Sequence, residues 1–122
     1  MEIVEFLLNE GINPNYRGWS GSTPIHEATW NGNNEMIKIL LSKGADLNID
    51  DINGWNSLHY AVFYGKFESV KLLIEFGIDF KSKDSDGKDP LEFAKEKNEI
   101  EIFKFLKSIE FKWYFILFLF ID

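Results

Sequence analysis

The chain has 122 residues, 45% of them hydrophobic and 27% charged, which suits one domain with a modest core and excludes a disordered composition. Its formal net charge is −7, with Arg17 the only arginine and no basic strip, so nucleic acid is not an expected partner. The absence of cysteine excludes disulfides, thiolate zinc sites and cysteine nucleophiles; Met1-Glu2 lacks the basic opening of a signal peptide, and the expected location is the cytosol, or a host cytosol for a secreted effector.

The first predicted element lies at 3–13, where "IVEFLLNEGIN" aligns with "MIKILLSKGAD" at 36–46. It reads as the second helix of a unit whose first half is absent, so residues 1–17 form a half repeat. Its apolar residues Ile3, Phe6 and Leu7 exceed what a polar capping helix carries. The start mid-unit implies a truncated reading frame or a helix serving as a cap.

The next three units follow a 33-residue period: "STPIHEATWNG" (22–32), "WNSLHYAVFYG" (55–65) and "KDPLEFAKEKN" (88–98) share one register. Units 18–50 and 51–83 match without a gap, sharing His26/His59, Ala28/Ala61, Gly44/Gly77 and Asp46/Asp79 among other identities. Each opens with a turn containing Gly21, Gly54 or Gly87. A short helix follows, started by Pro24 or Pro90 and ended by Gly32 or Gly65 in the first two units. A longer helix then carries the apolar stripe: Ile37, Leu40 and Leu41; Val70, Leu73 and Ile74; Phe103 and Leu106. Gly44 and Gly77 close it, whereas the third unit, 84–110, has Asn98 and Glu110 where the others have glycine, so its second helix is expected to run on into the tail. Helices this short are marginal alone and stabilise one another by stacking.

Taken together, "GSTPIHEATWNG", "LLSKGADLN", "NGWNSLHYAVFYG" and "VKLLIEFGID" resemble the ankyrin repeat, with "DGKDPLEFAKEKN" a looser match. The resemblance covers residues 1–110 and implies an all-α solenoid of helix-turn-helix units joined by β-hairpin-like turns, with an apolar tail at 111–122. It also implies protein–protein recognition rather than catalysis.

Three sets of residues could carry chemistry. His26 and His59 suggest a two-histidine metal site, or a general base beside Glu27. Equivalent positions on stacked helices lie about 8–10 Å apart, too far for one zinc, and the third unit has Glu92 instead. The resemblance instead makes them turn braces, with Asn56 in place of threonine beside His59. The acidic turns "DDINGWNS" and "KDSDGKDPLE" look like calcium loops until the glycine is set in register. The end ligands would then be Ile49 and Tyr60, or Ser82 and Phe93, so calcium is not expected. Ser20, Ser22 and Ser57 lie near a histidine only because the turn does. No catalytic constellation, phosphate loop, metal, cofactor or small-molecule substrate is therefore expected.

The resemblance implies partner contacts at turn tips and on the exposed face of the short helices. In the first unit these are Trp19, Ser20, Ser22, Trp30 and Asn31; in the second, Ile52, Asn53, Trp55, Phe63 and Tyr64. In the third they are Ser85, Asp86 and Lys88, with Glu96 and Lys97. All the aromatic positions fall in the first two units, and tryptophan and tyrosine are the types enriched in interface hot spots. Trp19, Trp30, Trp55 and Tyr64 are expected to form the patch, Phe63 to cover the core, and the third unit to supply a polar rim.

The tail, "FKWYFILFLFID", is open to three readings: a helix docked over the last unit, a membrane-surface contact short of the usual basic residues apart from Lys112, or part of a longer chain or reading-frame accident. Docking on the array is the expectation. The function expected is protein binding on the concave face. The alternative is a regulatory or targeting piece of a larger enzyme or membrane-associated protein.

Overall fold

A computed structural model describes residues 8–121, so Ile3, Phe6 and Leu7, the apolar residues noted in the expected N-terminal helix, lie outside the described residues. Helix starts follow from local chemistry. Proline opens α1 (Pro24–Trp30) and α5 (Pro90–Glu96), where its missing N–H costs nothing. Asparagine or aspartate caps α2 (Asn34–Ser42), α3 (Ser57–Phe63) and α5: Asn33, Asn56 and Asp89 each accept the N–H three residues on, at 2.9–3.1 Å. The remaining complete α-helices are α4 (Phe67–Glu75) and α6 (Ile100–Phe120), a single 3-10 turn lies at Trp19–Gly21, and no strand occurs among the described residues.

The short helices α1, α3 and α5 form one row and the longer α2, α4 and α6 form the other. Between the rows lie Ile25, Ile37, Leu40, Leu58, Leu73 and Ile102, each at most 2% exposed. Ala28, Ala61 and Ala94 are buried at the same register in the three units, small enough for the paired helices to approach closely. The half repeat keeps register where it is described: Leu8 and Asn9 are helical, and Gly11 N–H donates to the Leu8 carbonyl. Gly44 and Gly77 do the same to Leu41 and Ile74. Asn15 ties this segment to the first full unit, donating to the Gly44 carbonyl and accepting from Asp46 N–H.

The turns pair tip to tip. Ile52 N–H donates to the Ser20 carbonyl and Ser85 N–H to the Asn53 carbonyl, both at 2.9 Å. Gly54 is required here twice over. Its φ is +77°, and a Cβ would lie 2.8 Å from the Ser85 nitrogen, so a side chain would push the neighbouring tips apart.

The third unit departs as the missing glycines suggested. Asn98 adopts φ +57°, a conformation asparagine tolerates, while Glu110 stays helical and α6 runs unbroken for 21 residues. The expected docking of the tail over the last unit is corrected: residues 111–121 are all exposed. The unbroken helix carries the chain past the end of the array instead of folding back. Only its base is clipped, by Lys81, which bonds Glu110 at 2.9 Å and the Tyr114 hydroxyl at 3.1 Å.

Candidate partner-binding groove

Both histidines are wholly buried. His26 Nδ1 accepts the Thr23 N–H at 3.0 Å, which fixes the proton on Nε2, and Nε2–H donates to the Ile49 carbonyl at 2.9 Å. His59 repeats this with the Asn56 N–H and the Lys88 carbonyl, both at 3.1 Å. Each ring therefore uses both nitrogens to staple its turn to a loop 23 or 29 residues on, and no lone pair is left for a metal or a proton in transit. Burial pushes both imidazoles below the usual histidine range. The brace runs through the backbone amide of Thr23. Asn56, in the threonine's place, adds a bond from its side-chain amide to the Asp79 carbonyl at 3.3 Å.

The turn aspartates are equally occupied. Asp51 Oδ1 accepts the N–H groups of Asn53 and Trp55, and Asp84 Oδ1 those of Asp86 and Lys88. The second oxygen of each holds a ring: Asp51 accepts the Tyr60 hydroxyl, and Asp84 accepts the Trp55 indole N–H at 3.2 Å. Burial, reinforced by that carboxylate, pushes the Tyr60 hydroxyl well above the usual tyrosine range. These anchors hold a chain of rings running from Trp30 through Tyr60 and Trp55 to Phe63 and Phe93, with neighbouring centroids 5.0–5.2 Å apart.

The end of this chain floors a groove of about 320 Å³ between the second and third turn tips and the faces of α3 and α5. Trp55, Phe63 and Phe93 make the floor; Asn53, Asp84, Ser85 and Asp86 line it from the tips. Lys88 and Glu96 pair across its wall at 3.1 Å, and Lys97 Nζ sits 4.0 Å over the Phe63 ring. The arrangement offers an apolar, ring-lined seat inside a rim of both charges.

Of the positions expected to make contacts, the structure gathers eight here: Asn53, Trp55, Phe63, Ser85, Asp86, Lys88, Glu96 and Lys97. The first unit's residues stand outside the groove. Trp19 is 92% exposed on its tip beside exposed Ser20, while Ser22 Oγ donates back to the Trp19 carbonyl. Trp30 is half-buried against Tyr60, and exposed Asn31 bonds the Glu27 carbonyl. Ile52 is exposed on the second tip, and half-exposed Tyr64 packs edge-on against Phe63. Tyr60, Phe93 and Asp84 were not among the contact positions expected from the sequence, Tyr60 and Phe93 having been weighed only as calcium-loop positions. Tyr60 and Phe93 share one register position, immediately after the His59/Glu92 site, where the first unit has Glu27.

The family model for ankyrin repeats matches residues 1–51 and 46–112, in three copies. The chain is an ankyrin repeat protein. No curated protein sequence matches it. Ankyrin arrays are protein–protein interaction modules on a non-catalytic fold, and in this one the ring-floored groove lies between two turn tips. The ankyrin match ends at 112, so most of the projecting part of α6 lies beyond it.

Proposed function

We propose that this ankyrin array binds a protein partner across the second and third turn tips, seating an apolar side chain of the partner on Trp55, Phe63 and Phe93. The observation that carries the reading is this aromatic floor, recessed behind a rim of mixed charge. Two large apolar residues, Trp19 and Ile52, stand 92% and 73% exposed on the adjoining tips and extend the contact area beyond the groove. The floor is preorganised by the carboxylates of Asp51 and Asp84, so little ordering entropy is lost when a partner docks.

A photo-reactive amino acid introduced at Asn53 or Ser85, with the chain exposed to lysate and irradiated, tests this directly. The same partner is expected to be captured from both tips, and no capture is expected from Lys38, exposed on α2. Capture from Lys38 but from neither tip would move the interface to the opposite face and end the proposal.

A further inference from the structure

The projecting end of α6 is unlike the rest of the surface. From 111 to 121 every residue except Lys112 is apolar or aromatic, and every one is exposed. At about 3.6 residues per turn these side chains fall on all sides of the helix, with no azimuthal gap wider than about 60°. A helix apolar on one stripe fits a groove or a second helix; one apolar all round needs an apolar surrounding on every side. A second copy of the chain would cover one face of each tail and leave the others in water.

The seven residues 115–121, beyond Tyr114, reach about 10 Å at about 1.5 Å each, within the hydrocarbon half-thickness of a bilayer, about 15 Å. The helix does not reach across a membrane: no described helix is long and apolar enough to do so. Its base carries the residues that settle at a lipid–water boundary, Trp113 and Tyr114 beside Lys112. The fold adds Lys81 from the loop after α4, placing Nζ 4.9 Å from the Tyr114 ring centroid and 5.9 Å from that of Trp113. Lys81 and Lys107 both pair with Glu110 and Lys112 adds one more cation, a small local excess on a chain whose net charge of −7 opposes approach to anionic lipid.

We infer that residues 115–121 insert into one leaflet of a neutral lipid membrane, with Trp113 and Tyr114 at the boundary and the array held outside. Insertion is driven by apolar burial, so it is insensitive to salt.

Flotation of the full chain with phosphatidylcholine vesicles tests this. The wild-type chain is expected to float with the vesicles, equally at about 50 mM and about 500 mM salt. The variant carrying Leu117→Asp and Phe118→Asp is expected to show at least a tenfold smaller bound fraction, with an unchanged thermal melt because both positions lie outside the array. Brominated lipid is expected to quench fluorescence that Trp113→Phe removes. The inference is overturned if the wild-type chain stays in the aqueous fraction, including as a dimer by sedimentation. It is also overturned if the variant floats equally well, or if binding requires anionic lipid and disappears with salt.

Discussion

Replacing Trp55 with alanine is expected to lower the free energy of unfolding by about 3 kcal/mol, at the lower end of the range for a packed tryptophan because the ring is only half-buried. The resemblance to ankyrin repeats marks this position as an expected partner contact, yet the ring is fixed on several sides. It meets Tyr60, Phe63 and Phe93 at centroid distances of 5.0–5.1 Å, and its indole N–H is held by Asp84. Removing it separates the second turn from α3 and α5 together. Trp55→Phe keeps most ring contacts and loses the indole bond, so a loss of about 1 kcal/mol is expected. Trp19→Ala, at a residue 92% exposed, is expected to stay within about 0.5 kcal/mol of wild type. Urea unfolding of the three variants checks the order. A Trp55→Ala loss no larger than that of Trp19→Ala would mean that the ring chain does not support the fold.

Acidification below about pH 6.5 is expected to destabilise the array through the two buried histidines. Burial lowers both folded-state pKa values below the 6.5 of an unperturbed histidine. The unfolded chain therefore takes up protons in this range that the folded chain refuses. The stabilisation is fully present above the unfolded value and is lost as pH falls toward the folded ones. Each histidine contributes a slope of up to about 1.4 kcal/mol per pH unit. Above about pH 7.5 neither state is protonated at these rings and they contribute no slope. His59→Ala is expected to remove one of the two contributions. At neutral pH it should also cost about 3 kcal/mol, because the Asn56 N–H and the Lys88 carbonyl lose their partner. Urea titrations at stepped pH measure both effects; a profile flat from about pH 7 to about pH 5 would contradict the burial and tautomer assigned to the rings.

The period carried most of the fold. Once His26 and His59 were in register, helix starts, the buried alanines and the closing glycines followed, because each answers to local backbone chemistry repeated at one spacing. The role of the histidines as braces came from the resemblance to the ankyrin repeat rather than from the period itself. What they brace was less legible: His26 reaches Ile49 and His59 reaches Lys88, positions that the register does not make equivalent. The groove was half legible. Assigning contact positions one unit at a time found Asn53, Trp55, Ser85 and Lys97, but the floor depends on Phe93 of one unit meeting Trp55 and Phe63 of the previous one. That meeting is a property of stacking, which no single unit displays. The tail failed for a different reason. Its apolar composition argued for cover, but whether a helix folds back depends on where its axis points, and Glu110 leaves α6 nothing at which to turn.

In the proposed function the groove between the second and third tips binds the partner while its ring floor belongs to the fold. The most direct measurement is a binding isotherm of the cross-linked partner, once identified, against wild type and the double variant Asn53→Arg with Ser85→Arg, each paired with a thermal melt. Both residues are exposed and join the tips through their backbones, so the new side chains fill the groove and leave the turns intact. The expected result is at least a tenfold loss of affinity, about 1.4 kcal/mol, with the melting temperature unchanged. Undiminished affinity in the variant would contradict the claim, as would an affinity loss that only follows a fall in melting temperature.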